Sequence, residues 1–157
     1  MDNEYNVTGD TFSKIKESIN NSDNKLIQLA GIRVLDLSKR HVKLEMPLGD
    51  VHVNHIGTAY AISMLMLMEI GGASLIRATY GFDTYIPVIK KLDVVYLKPT
   101  SKTLICNLFI SEKDAEEKII PVAQRGRGDF ILPITLTDIE NEEIAKSNIN
   151  YYLISNK

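Results

Sequence analysis

The sequence predicts an α+β fold in which one antiparallel sheet wraps around a single long central helix. Three observations predict it. The stretch from Ile56 to Ile76 is apolar almost throughout and carries a single carboxylate, Glu69. Segments on both sides of it alternate apolar and polar residues at the two-residue period of half-buried strands. A helix that is apolar on all sides must be enclosed, and the simplest enclosure available to this chain is one curled antiparallel sheet.

The elements follow in order. Thr11 is placed to cap a short helix, with Phe12, Ile15 and Ile19 at helical spacing and Lys14, Lys16 and Glu17 outside. Asn20 to Asn24 is a polar loop. From Ala30 to Pro47, Ile32 and Val34, then Val42, Leu44 and Met46, describe two strands or one bent hairpin broken at Ser38-Lys39-Arg40. Leu48 to Gly57 is a loop that holds His52 and His55. The apolar helix is expected from about Thr58 to Thr79, buried on all sides. Ile86 to Leu97 is rich in β-branched residues and stops at Pro99. Leu104, Cys106, Leu108 and Ile110 share one strand face. Phe130, Leu132, Ile134 and Leu136 share another, and Ile149, Tyr151 and Leu153 line the last strand. Such strands bury one face and wet the other. Ser111 to Asp114 reads as a capping box opening a helix that ends at Gly126, an insertion of about residues 112–126. Pro121 inside it predicts a kink or break. With no repeat and no linker, residues 1–157 read as one domain.

Composition narrows the function classes. The 157 residues include 45% hydrophobic and 24% charged residues, so a globular core is expected. The net charge of -2 and the absence of any basic cluster argue against binding a nucleic-acid backbone. The lone cysteine, Cys106, cannot form an internal disulfide. The polar start, Met1 to Tyr5, lacks the basic and apolar stretches of an export signal. A charge at Glu69 and the pair Gly71-Gly72 argue against a membrane span. A cytoplasmic protein away from the membrane is the expectation. His52 and His55 have the spacing His-x-x-His, but without a suitable third ligand no metal site is expected. Cys106 alternates with apolar neighbours and reads as a buried strand residue.

Asn54-His55-Ile56-Gly57-Thr58-Ala59-Tyr60-Ala61, followed by Glu69, resembles the active-site stretch of the hotdog-fold acyl-CoA thioesterases. It is similar to the phenylacetate-pathway type and the 4-hydroxybenzoyl-CoA type. The run from Tyr85-Ile86-Pro87-Val88 to Tyr96-Leu97-Lys98-Pro99 resembles the strand that follows the central helix there. The resemblance implies a hotdog fold and hydrolysis of an acyl-coenzyme A or acyl-carrier thioester. It implies no cofactor, with coenzyme A present only as part of the substrate. It assigns the loop asparagine to Asn54 and the helix-start backbone N–H to Ala61. The base or nucleophile eight residues on becomes Glu69. His55, Gly57, Thr58, Tyr60 and Ile62 are then expected to bind substrate. Tyr60-Ala61-Ile62 stands where those families usually have His-Gly-Gly.

The physical reading agrees with these roles. A helix N-terminus has free N–H groups and a partial positive charge, which suits the oxyanion formed when a thioester is attacked. Burial raises a carboxylate pKa, which suits a general base. Ala61 and Glu69 lie about 12 Å apart at 1.5 Å per residue, so they cannot meet at one carbonyl within one chain. Two antiparallel helices about a two-fold axis bring them together. A homodimer is therefore expected, with pairing into a tetramer left open.

Other readings stand beside this one. Glu69 is otherwise a core-edge carboxylate satisfied by Arg77 or a backbone donor, and Asn54 a turn cap. Gly49-Asp50 and His55 partly resemble the loop of (R)-specific enoyl-CoA hydratases, which add water across a double bond. A non-catalytic acyl- or acyl-CoA-binding hotdog protein is the third reading.

Overall fold

The computed structural model of the chain describes residues 5–156. The polar start, on which the expectation about export rested, lies mostly outside the described residues. Two short helices come first, α1 (Gly9–Asn20) and α2 (Lys25–Ala30). The hairpin β1 (Arg33–Ser38) and β2 (His41–Met46) follows, then the long helix α3 (Ala61–Tyr80). Next come β3 (Tyr85–Tyr96), β4 (Leu104–Phe109), α4 (Glu112–Arg125), β5 (Arg127–Asp138) and β6 (Glu143–Ser155). The six strands form one sheet in the order β1-β2-β4-β5-β6-β3, and every pair is antiparallel. This is the hotdog arrangement the sequence predicts.

The alternation read from the sequence becomes the inner face of the sheet. Leu104, Cys106 and Leu108 of β4 are buried, as are Phe130, Leu132, Ile134 and Leu136 of β5 and Ile149, Tyr151 and Leu153 of β6. A two-residue period puts every second side chain on one side, so these residues form the buried face of the sheet, against which α3 and α4 pack. Helix α3 is long and apolar enough to cross a membrane, yet over half of it is buried inside the protein. Gly71 and Gly72 explain how it seats. A Cβ at Gly71 would lie 2.6 Å from Cys106 Sγ, and one at Gly72 would lie 2.1 Å from the Tyr151 hydroxyl. The pair lets β4 and β6 press directly onto the helix backbone.

Several local expectations change. The first helix starts at Gly9, earlier than Thr11, and Thr11 Oγ1 instead accepts the Thr8 N–H at 3.2 Å. The short α2 has no apolar periodicity to announce it. It stands on an Asn24 cap, whose side chain accepts the Leu26 N–H, and on a left-handed Gly31. Pro121 does not break α4. Ala115, Ile119 and Val122 are buried on both sides of it, while Pro121 itself is exposed. Packing therefore holds the last turn, and the carbonyl that loses its donor is on the wet face. Helix α3 begins at Ala61, three residues after the expected start, because 54–60 are held in a loop.

The largest correction concerns the burial of α3. Ala61, Leu65, Glu69, Ala73 and Arg77, with Ile62 and Met66 beside them, are not buried. Positions four apart stack on one face, so these residues form a single stripe along the helix. A one-layer sheet covers only part of a helix circumference, and the stripe is the part left over.

Gly72→Ala is expected to cost about 1–3 kcal/mol, since the new methyl must displace a fully buried tyrosine. Urea denaturation measures it, and adding Tyr151→Phe should restore part of the loss. An unchanged midpoint would mean that Tyr151 does not lie against the helix.

Candidate active site

The start of α3 is delivered by a heavily hydrogen-bonded loop. His52 is buried, with Nε2 2.9 Å from the Ala30 carbonyl and Nδ1 3.2 Å from Ser63 Oγ. In the neutral ring Nε2–H donates to the carbonyl and Nδ1 accepts from the serine. Both nitrogens are thus used inside the protein, tying the loop to α2 and to the first turn of α3. The Tyr60 N–H donates to the His52 carbonyl at 2.7 Å, and the Ala59 N–H to Thr100 O at 2.7 Å.

Asn54 makes the tight part of the loop. Its Oδ1 accepts from the Ile56 and Thr58 N–H groups, each at 3.1 Å, and its Nδ2 donates to Thr58 Oγ1 at 2.9 Å. The Gly57 N–H donates back to the Asn54 carbonyl at 3.0 Å, with Gly57 at φ +78°. Side-chain amides of this kind stand in for a backbone turn. Of the two readings of Asn54, the turn cap describes its contacts, and Thr58 is its partner. His55, Ile56 and Gly57 ride outside on this turn, exposed.

Tyr60 is the N-cap of α3 and provides no side-chain cap, and the first helical hydrogen bond is Met64 N–H to Tyr60 O at 3.1 Å. The N–H groups of Ala61, Ile62 and Ser63 therefore have no partner within the helix. Ala61 is half-buried, between Tyr60 at 50% exposure and Ile62 at 54%. The Tyr96 hydroxyl donates to the Ala61 carbonyl at 3.0 Å, clamping the helix start to the end of β3. Nothing in the spacing of the sequence marks Tyr96 for this task. Only the curl of β3 around α3 brings the two together.

Glu69 lies two helical turns further along the open stripe. Burial pushes its carboxyl above the ordinary carboxylate range, against the attraction of Arg77. None of the ion pairs among the described residues includes Glu69. The reading of Glu69 as a carboxylate satisfied by direct contact with Arg77 is therefore not what the structure holds. Beneath it, the Tyr151 hydroxyl donates to the Glu69 carbonyl at 2.7 Å through the space left by Gly72. Sequence reading placed Tyr151 in the core but gave no sign of this contact.

The remaining candidates sit apart. Asp50 begins a single 3-10 turn, Asp50–His52, and is exposed, as is His55, and no ion pair joins them. Cys106 is fully buried and its thiol is pushed up to about 12, so it is inert as a nucleophile. The described residues contain no group of three His, Cys, Asp or Glu side chains able to hold a metal. An open depression of about 730 Å³ lies behind the loop, between α2, β1 and residues 47–52, and includes neither Ala61 nor Glu69. The free donors and the perturbed carboxyl lie on the stripe instead.

Residues 27–153 match the family described as Domain of unknown function (DUF4442). No curated protein matches the sequence significantly. Among solved structures, the chain is similar to a Pseudomonas aeruginosa protein of unknown function carrying the name "Probable Thioesterase". That pair shares 24% identity at TM-score 0.80 over 92% of this chain and 95% of the other. It is similar to a Haemophilus influenzae thioesterase at 12% identity and TM-score 0.68, over 90% and 91% of the two chains. A Streptococcus mutans protein bound to acetyl CoA is similar at 17% identity and TM-score 0.61, over 79% and 89%. These likenesses establish the hotdog fold.

The raised Glu69 pKa carries a sign for stability. The folded chain holds the proton more tightly than the unfolded chain. Its contribution is present below the ordinary carboxylate pKa and is lost as pH rises through the raised value. Glu69→Gln is therefore expected to be more stable than the parent at pH 8, with the gap closing by pH 4. Thermal unfolding at both pH values checks it, and a Gln variant less stable at pH 8 would contradict a desolvated carboxylate.

Proposed function

The chain belongs to the family described as Domain of unknown function (DUF4442), and from that premise we propose that it hydrolyses an acyl-coenzyme A or acyl-carrier thioester at a site shared by two copies. The observation that carries the proposal is the open stripe of α3. It holds an uncapped helix start at Ala61 and a desolvated carboxyl without an ion-pair partner at Glu69. The names of the solved relatives, thioesterase in two cases and an acetyl CoA complex in the third, point the same way.

Within one chain the two groups stand about 12 Å apart along the helix and cannot act on one carbonyl. Strand β3 supplies a reason to dimerise. It is an edge strand of 12 residues whose outer backbone edge has no strand partner among the described residues, and Ile86, Val88, Leu92, Val95 and Tyr96 are exposed on it. A long apolar edge is a pairing surface. Antiparallel pairing of two β3 edges about a two-fold axis sets the α3 stripes against one another. Ala61 of one copy then approaches Glu69 of the other.

In such a site the Ala61 N–H and the positive end of α3 receive the thioester oxygen. Glu69 of the facing copy takes a proton from water as the water oxygen bonds to the carbonyl carbon. The tetrahedral oxyanion collapses, the C–S bond breaks, and the protonated Glu69 returns the proton to the leaving thiolate. The products are a carboxylic acid and a thiol. Tyr96 and the Asn54 loop hold the donor in place, while Tyr60, Ile62 and Ile56 form an apolar rim for the substrate. His55, Gly57 and Thr58 complete the loop beside it.

Thiol release from a panel of acyl-CoAs tests the proposal. Glu69→Gln should lower kcat by at least ~100-fold, and Asp50→Asn should stay within about threefold. The reverse pattern would favour the hydratase chemistry of Asp50 and His55. Binding without thiol release would favour the acyl-binding reading.

A second variant isolates the helix start. Ala61→Pro removes only the N–H in question, at a helix position that tolerates proline and after a residue already extended at φ -71°, ψ 137°. It should remain folded and dimeric by sedimentation, yet lose about 100- to 1,000-fold in kcat. Full activity in a folded Ala61→Pro dimer would remove Ala61 from the mechanism.

A further inference from the structure

Arg77 is the second charged residue on the open stripe of α3, eight residues beyond Glu69. It is half-buried, and its Nε is cut off from solvent with no hydrogen-bond acceptor among the described residues. No ion pair among the described residues includes it. Among the described residues the Phe82 ring lies close to it, 4.6 Å from the guanidinium carbon. As the basic residue of the last turn it also suits the negative end of the helix. Neither interaction uses the planar fork of N–H donors that distinguishes arginine from lysine. A guanidinium stays charged in proteins, and a charge held partly out of water is costly unless an acceptor is supplied.

The guanidinium lies over Phe82, just past the end of α3, and is still close enough to the stripe to act on Glu69. The two charges act on one another without touching, and Asp83 adds a weaker pull on Arg77. Between them on the stripe is only the small side chain of Ala73, half-exposed. The stripe thus carries, in order, the carboxyl of Glu69, the methyl group of Ala73, and a cation whose Nε has no acceptor among the described residues.

We propose that Arg77 binds a carboxylate at the far end of the acyl group, so that the preferred substrates are mono-thioesters of short dicarboxylic acids. The inference rests on the thioesterase reading and deepens it. A bidentate carboxylate satisfies the fork. The coenzyme phosphates are the other anions available. However, the pantetheine arm holds them farther from the thioester than the two helical turns that separate Glu69 from Arg77.

Adipyl-CoA and hexanoyl-CoA have the same six-carbon chain and differ in the terminal carboxylate, so they form the test pair. The wild-type dimer should show a kcat/KM about 10- to 100-fold higher for adipyl-CoA. Arg77→Gln should erase that ratio, whatever it does to the turnover the two substrates share, and Arg77→Lys should fall between. A merely structural arginine would lower both substrates together and leave the ratio intact, which would overturn the proposal, as would a wild-type enzyme indifferent to the carboxylate. A loss in Arg77→Gln seen with hexanoyl-CoA but not with hexanoyl-pantetheine would assign Arg77 to a phosphate instead. If the wild type hydrolyses neither thioester, the thioesterase reading fails. Calorimetric binding of the same pair then decides the arginine, and adipyl-CoA binding no tighter than hexanoyl-CoA overturns its role.

Discussion

One packing constraint organises this protein. Helix α3 is too apolar to stand in water, and one sheet layer cannot surround it. Tyr80, Met68, Leu67 and Ile76 are buried against the strands, while the stripe from Ala61 to Arg77 stays uncovered. The covered side makes the core. The uncovered side gathers the free N–H groups of the helix start, a carboxyl and a guanidinium on one line.

The glycine pair in mid-helix shows how closely core and stripe are coupled. Glycine in a helix interior costs stability relative to alanine. At Gly72 the missing side chain lets the Tyr151 hydroxyl reach the Glu69 carbonyl from the sheet side, while the Glu69 side chain points to the open side. The backbone that carries the carboxyl is thereby gripped from below. At the other end of the stripe, Tyr96, His52 and the Asn54 turn grip the helix start. Two sets of structural contacts thus fix the two ends of the open stripe from behind and from the side.

Glu69 and Arg77 belong to the same helix but not to the same ion pair. Had they been four residues apart they would have neutralised one another on the helix surface. Eight residues apart, they form no ion pair, yet each tempers the desolvation of the other. The edge strand β3 follows the same pattern, with apolar side chains and an unpaired backbone edge turned outward. A single copy therefore leaves both a sheet edge and one stripe of α3 uncovered among the described residues.

Much of this was legible in the sequence. The alternation of Leu104, Cys106, Leu108, of Phe130 to Leu136 and of Ile149 to Leu153 determined which strand faces point inward, because side-chain period is a local property of the backbone. The apolar run around Glu69 determined that a helix had to be enclosed, and marked Glu69 as out of place there. The local motif at Asn54 named the loop but not its use, since an Asx turn and a ligand contact draw on the same amide. What only the tertiary structure decided depends on contacts between residues far apart in the chain. Such contacts include the clamp from Tyr96 to Ala61, the approach of Tyr151 to Glu69, and His52 bridging Ala30 and Ser63. The same holds for which side of α3 the sheet leaves bare. No period or spacing encodes these, because they follow from how far one curved layer reaches around a helix.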